Sequence, residues 1–398
     1  MSRRRFSLVP PLDDDDLLQE ILIHLTPLPS SLPRASTVCR RWYSILSDPR
    51  FLYRFRKHHR KPPLIGFFDK EFCQAPIFTP MLDPPNCIPV SFALPENLLA
   101  WSWNPWAFFG CRHGIALFLD RPRHEAVLWD PYTNFQRRVA FPPGFNNQQA
   151  SFIMSAAVMC SAGDEQHVHG DCHLSPFKLV LACQDTKCTK AFVCTYESMS
   201  GIWEDIISIA TRYMICRHRP SILVRNALCW LLRGGGILQF DFERLTLEVI
   251  EKPASVDVAN TYGVDWSFQI IQGEDNGLGL AVLLKPELSL QLWARKADYD
   301  GVVSWVLQKT VQLDELFTRP LRSGAVKLVL MPGYDEDINV IFLSSVSHDF
   351  MLQLESMKFK YIGRREYQSS RIYYPYANFY TAGRGIAGGD GVAENVNA

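Results

Sequence analysis

The chain lacks an apolar run long enough to cross a bilayer. Phe152–Cys160 is among its longer stretches and falls far short of the roughly 20 residues a spanning helix needs. It also lacks net charge: 41 Lys and Arg balance 41 Asp and Glu, so no bulk field draws it to nucleic acid or to an anionic membrane. No apolar segment follows the basic start MSRRRFSLVPP, which argues against a secretory signal, and Asp13–Asp16 arrive too early for a mitochondrial presequence. With no such signal, the odd count of 11 cysteines, from Cys39 to Cys229, reads as reduced thiols in the cytoplasm or nucleus. Phosphate-loop and dinucleotide chemistry are missing too. Gly234-Gly235-Gly236 is followed by neither a lysine nor a helix start, and Gly273–Gly279 has the wrong spacing and reads as a hairpin loop. No Gly-x-Ser-x-Gly elbow is present.

What is present falls into two textures. From Pro11 to His59 the pattern is helical, and three short helices can be drawn. Asp13–Asp16 supply an N-cap and first-turn charge. Leu17, Leu18, Ile21, Leu22 and Leu25 follow at helical spacing, and Thr26, Pro27 and Pro29 stop that helix. Ser30 or Ser31 starts the second, with Pro33 in its first turn and Leu32, Ala35, Val38, Cys39 and Trp42 as its stripe. Ser47 or Asp48, ahead of Pro49, starts the third, which carries Phe51, Leu52 and Phe55. About fifty residues make a marginal core. The apolar faces here exceed what three short helices can hide from water, so other surface must cover them.

These residues resemble an F-box over residues 12–56. Leu17-Leu18-x-x-Ile21-Leu22, Leu25, Leu32-Pro33-Arg34-Ala35 and Val38-Cys39-Arg40-Arg41-Trp42 carry the likeness, with Asp13-Asp14 where the usual opening Leu-Pro stands. The resemblance implies docking on a Skp-family adaptor and, through it, a cullin scaffold. Leu17, Leu18, Ile21, Leu22, Leu25, Leu32, Val38, Cys39 and Trp42 are then the candidates for the docking surface and its supporting core.

Beyond Lys61-Pro62-Pro63 the chain becomes short apolar runs divided by turn residues. The runs form five groups. They are Gly114–Asp120, Ala126–Trp129 and Arg137–Phe141; then Phe177–Gln184, Lys190–Tyr196 and Gly201–Ile206; then Ser221–Val224, Ala227–Arg233, Gly236–Phe242 and Thr246–Glu251. The fourth is Ser267–Gln272, Leu278–Leu284, Leu288–Arg295 and Ser304–Lys309, and the fifth Ala325–Met331, Asp337–Ser344, Phe350–Glu355 and Lys358–Ile362. Leu64–Phe68, Phe92–Leu94 and Arg371–Tyr380 are left to share a last group that closes a ring. Recurrence at roughly 45–60 residues predicts a β-propeller of six blades, with seven or eight left open, in preference to two β-sandwiches. The one helix expected here is Val311–Phe317.

This half resembles the F-box-associated propeller of plant F-box proteins. The likeness rests on Gly110-Cys111-Arg112-His113-Gly114, Leu128-Trp129-Asp130-Pro131 with Thr133 and Asn134, Pro62–Phe68, and Tyr374-Pro375-Tyr376 with Phe379-Tyr380. The expected organisation is a flexible start at 1–10, an F-box at 11–59, a linker at 60–63, a propeller at 64–382 and a disordered tail at 383–398.

Chemistry is the rival to this reading. His167, His169, Asp171, Cys172 and His173, with Cys183 and Cys188 after them, could serve a metal-dependent enzyme on a propeller. Their spacing fits no standard zinc unit, and a polar loop is the better account. Asp335-Glu336-Asp337 reads as a solvated turn and Ser2-Arg3-Arg4-Arg5 as a soluble end. The resemblances together imply a non-enzymatic adaptor of a Skp–cullin–F-box ubiquitin ligase, without cofactor or metal, whose propeller holds a target protein. An F-box scaffold acting outside ubiquitin transfer is the remaining alternative.

Overall fold

The computed structural model describes residues 14–70, 75–87, 106–142, 153–161, 172, 175–185, 187–217, 219–256, 264–285, 287–313, 329–345, 348–364 and 371–380. The expected flexible start, the strand at Phe92–Leu94, the histidine loop apart from Cys172, and the tail at 383–398 lie outside these residues.

Four helices form where three were expected: α1 (Asp15–Ile23), α2 (Ser31–Ser36), α3 (Arg40–Ser47) and α4 (Pro49–His59). Asp14 caps α1, its carboxylate accepting from the amides of Asp16 and Leu17. Asp48 caps α4 in the same way, ahead of Pro49 in the first turn. The expected second helix divides because Cys39 is extended, at φ −162° and ψ 168°, and serves as N-cap of α3. Leu32 and Ala35 therefore belong to one element and Trp42 to the next. Leu18, Leu22, Leu32, Leu46, Phe51 and Phe55 build the small core between them.

The remaining strands form a six-bladed ring. β1 (Leu64–Lys70) and β2 (Ile77–Pro80) open it. The first full blade is β3 (Trp106–Arg112), β4 (Ile115–Asp120), β5 (Glu125–Trp129) and β6 (Gln136–Ala140). The second is β7 (Ile153–Cys160), β8 (Phe177–Gln184) and β9 (Lys190–Glu197), whose outer edge is shared by β10 (Ile202–Trp203) and β11 (Ile207–Ala210). β12 (Ile222–Val224), β13 (Ala227–Leu231), β14 (Ile237–Asp241) and β15 (Thr246–Ile250) make the third. β16 (Phe268–Gln272), β17 (Leu278–Leu284), β18 (Ser289–Ala297) and β19 (Val303–Gln312) make the fourth. The fifth is β20 (Leu330–Asp335), β21 (Val340–Ser344), β22 (His348–Gln353) and β23 (Phe359–Arg364). Last comes β24 (Ile372–Ala377), which pairs antiparallel with β1 so that the two ends of the propeller segment share one sheet, β2-β1-β24. This pairing joins the two ends of the propeller segment and closes the ring.

Two expectations fail here for identifiable reasons. Val311 and Gln312 continue β19 as strand, pairing with Leu290 and Ser289, so no helix starts at Val311; residues 314–317 lie outside the described set. Asp335-Glu336-Asp337 is no solvated turn: Asp335 is buried at the end of β20, and its carboxylate accepts from the amides of Asp337 and Ile338.

Aromatic side chains fill the closing blade and its neighbour. The Phe68 ring centroid lies 5.2–6.2 Å from those of Phe78, Phe108, Trp129 and Tyr376, in tilted and edge-to-face arrangements. Gly110, at φ 118°, lies against the ring of Tyr374, and a β-carbon there would come within 3.0 Å of it. The tyrosines of the terminal motif thus lock the ring shut. Trp129 Nε1–H donates to Asn134 Oδ1 at 2.9 Å, so the Trp-Asp-Pro motif is a built turn.

Candidate functional site

The innermost strands run from one face of the ring to the other, which fixes where the helices sit. β24 ends beside the start of β1, where the Asn378 amide donates to the Pro63 carbonyl at 3.3 Å. α4 therefore arrives on the face carrying the β3–β4, β12–β13, β16–β17 and β20–β21 turns, here termed the near face.

Contacts beyond the short connection join the helices to that face. Phe379, just past β24, is buried in the helical core with its ring 6.3 Å from that of Phe55. Ser30, the N-cap of α2, donates through its amide (3.2 Å) and hydroxyl (2.7 Å) to Asn86 Oδ1. His59 Nε2 lies 3.1 Å from the Ile23 carbonyl, and burial, then the neighbouring His58, lowers its pKa. Sequence reasoning missed Phe379 and Asn86 as part of the helical unit because both are remote in the chain and neither carries a helical signal.

The nine candidate docking residues separate into two sets. Leu18, Leu22 and Leu32 are buried in the helical core, and Leu25 and Trp42 pack partly against it. Leu17 (50% exposed), Ile21 (49%) and Val38 (61%) face solvent, as does Cys39. Leu17 and Ile21 are one helical turn apart and share a face of α1. Arg41 Nε donates to Asp15 Oδ1 at 2.7 Å and holds the start of α3 beside the start of α1. Tyr43, on α3, is also half exposed and adds to this apolar surface without having been singled out.

The centre of the ring is braced. On the near face Arg112 and Glu336 form a two-pronged pair, Nε–Oε1 2.6 Å and an η-nitrogen to Oε2 3.1 Å. Arg112 also donates to the Ser221 carbonyl, and Glu336 accepts the Leu223 amide at 2.7 Å. One ion pair thus ties the first, third and fifth blades. Burial, then the charge of Asp337, pushes the Asp335 carboxyl up to about 7; burial and Glu336 push Asp337 up to about 6. Toward the far face Arg219 spans the centre and donates to the carbonyls of Met331 and Phe268 at 2.7 and 2.8 Å. The ring is therefore a rigid, filled support whose two faces are its usable surfaces.

Among the described residues no group of three or more His, Cys, Asp or Glu side chains could hold a metal, and no helix is long and apolar enough to cross a membrane. Cys183 and Cys172 are buried.

Comparison with known proteins agrees with this architecture. The family described as "F-box protein AT5G49610-like, beta-propeller" matches residues 108–375, and the F-box-like family matches residues 15–58. No curated protein matches the sequence. Among solved structures, the WD40 domain of SCAP from fission yeast is similar over 66% of this chain and 52% of its own, at 11% identity and a TM-score of 0.34. The Swd1 β-propeller domain of Myceliophteria thermophila is similar over 66% of this chain and 73% of its own, at 10% identity and a TM-score of 0.34. Because the first family match spans more than half of the sequence, the chain belongs to the AT5G49610-like family of F-box proteins with a C-terminal β-propeller.

Proposed function

We propose that this protein is the target-recognition adaptor of a Skp–cullin–F-box ubiquitin ligase. Its helical unit docks the Skp-family subunit and through it the cullin, while the propeller holds a target protein near a charged ubiquitin-conjugating enzyme. The adaptor does no chemistry; it raises the effective concentration of a target lysine. One observation carries this reading: Leu17, Ile21, Val38 and Cys39 stand in solvent on a segment with an F-box-like match, beside a core made by their neighbours Leu18, Leu22 and Leu32. Burying such side chains is worth about 1.5–3 kcal/mol each before ordering and association costs.

Leu18, Leu22, Leu32 and the partly packed Leu25 and Trp42 act as support. Leu17, Ile21, Val38 and Cys39 touch the partner. The buried Pro62 and the bonded Pro63, with Phe379 and the Ser30–Asn86 contact, hold the helices at a set angle and so fix the distance over which ubiquitin is delivered. Co-expression with a Skp-family protein tests the proposal. The unmodified chain is expected to co-purify with it, and the double variant Leu17→Asp, Ile21→Asp to lose it while the propeller unfolds at an unchanged temperature. An undiminished complex in that variant would count against the assignment.

A further inference from the structure

On the far face two arginines converge at the start of β7. Arg121, in the β4–β5 turn, donates an η-nitrogen to the Ile153 carbonyl at 3.3 Å. Arg217, in the connection between the second and third blades, reaches the next residue, with an η-nitrogen 3.6 Å from Met154 Sδ. The Nε of Arg121 is buried and has no hydrogen-bond partner. A buried donor left unsatisfied is costly, and two like charges brought to neighbouring residues repel. Burial and the Arg217 charge both lower the Arg121 pKa, in keeping with that crowding.

Among the described residues, three acids of the first three blades have partners of their own. Asp120 lies 3.7 Å from Arg123; Glu251 accepts from the Tyr213 hydroxyl and Arg212; Asp185 caps its own turn through Thr189 and Lys190. Arg219 sits two residues beyond Arg217, committed to carbonyl oxygens in the centre of the ring. The result is two cations that meet neighbouring residues of β7 on the face away from the helical unit, Arg121 partly desolvated and Arg217 exposed.

We propose that Arg121 and Arg217 form an anion-binding site on the far face, which takes a carboxylate or phosphate carried on a segment of the target protein. Guanidinium groups suit such ligands because their planar donors match paired anionic oxygens. The proposal rests on the target-recognition reading above and names its recognition chemistry. It also sets the geometry: the target lies on the side of the ring opposite the helices, so neither partner blocks the other.

The experiment uses the full chain and three fluorescein-labelled peptides of equal length: hexaglutamate, a phosphoserine-bearing Gly-Ser peptide and its unphosphorylated form. Fluorescence polarisation is expected to show that at least one acidic probe binds above the neutral one and weakens as salt is raised. Arg217→Glu, at an exposed position, is expected to reduce that binding about 10- to 100-fold. Arg121→Lys keeps the charge, removes Nε and is expected to give a smaller loss. Preference for hexaglutamate or for phosphoserine identifies which anion the site reads; either supports it. Equal binding of all three probes, or full binding by Arg217→Glu, would overturn the proposal. Co-purification of Arg217→Glu with a Skp-family protein is expected to be undiminished, so failure of the anion site is distinguishable from failure of the adaptor reading.

Discussion

The helical unit and the propeller sort their apolar side chains differently. In the propeller the large apolar groups of the second strand in each blade are buried almost throughout, as in β4, β8 and β21, and those left out, such as Val303, Val306 and Leu307, sit on an outermost strand, β19. In the helical unit Leu18 and Leu22 are sealed, while Leu17 and Ile21, one position before each, stand half in water. Both regions use side chains of similar kind, so composition does not explain the contrast. A finished fold hides such groups; a surface awaiting a partner leaves some out. Even the sealed part of the helical unit is incomplete without Phe379, a residue delivered by the far end of the chain.

The largest expected effect tests that dependence. Phe379→Ala removes a buried ring from the small core and is expected to cost about 3–5 kcal/mol locally. Hydrogen exchange should show faster exchange in α1 and α4 with the ring amides unchanged; uniform destabilisation of both regions would erase the distinction between them. Next, Arg112→Ala leaves Glu336 uncompensated at the centre of the ring, where both side chains are largely buried. A loss of about 3 kcal/mol is expected, read as a lower urea midpoint for the propeller, with the helical unit following only because it is anchored there.

A smaller effect concerns pH. The folded Asp335 carboxyl, pushed up to about 7, keeps a proton that the unfolded chain releases near pH 4. The stability that this neutral carboxyl contributes is whole below about pH 4 and is lost as pH rises toward 7. Acidification from pH 8 to pH 6 is thus expected to raise the melting temperature of the propeller. Asp335→Asn, which keeps an oxygen to accept from Asp337 and Ile338, should flatten that rise. A slope unchanged in the variant would assign it to other groups.

Much of this fold was legible in the sequence, and the failures have physical causes. The strands of the third and fourth blades are short apolar runs bounded by turn residues such as Arg225-Asn226 and Asp275-Asn276, so each of them was placed. β7 and β3 were not recognised as strands. β7 is apolar nearly throughout because it is buried on both faces, and such a run has no period to read. The helix expected at Val311 failed because β19 is longer than the turn spacing suggests. In the helical unit the apolar spacing was right, but continuity through Val38 and Cys39 concealed the break between α2 and α3. The motif residues were visible without their division into support and surface, since the neighbours Leu17 and Leu18 differ only in what packs over them. Arg112–Glu336 and Arg121–Arg217 were invisible because each joins separate blades.

Thiol labelling at Cys39 tests the central claim most directly. The group is exposed beside Val38 on the surface assigned to the partner, whereas Cys172, Cys183, Cys194, Cys216 and Cys229 are buried. Peptide-resolved mass spectrometry after brief maleimide treatment is expected to find Cys39 modified in the isolated chain and protected once a Skp-family protein is added. Equal modification of Cys39 in the two samples, with the complex shown to be intact, would contradict the account.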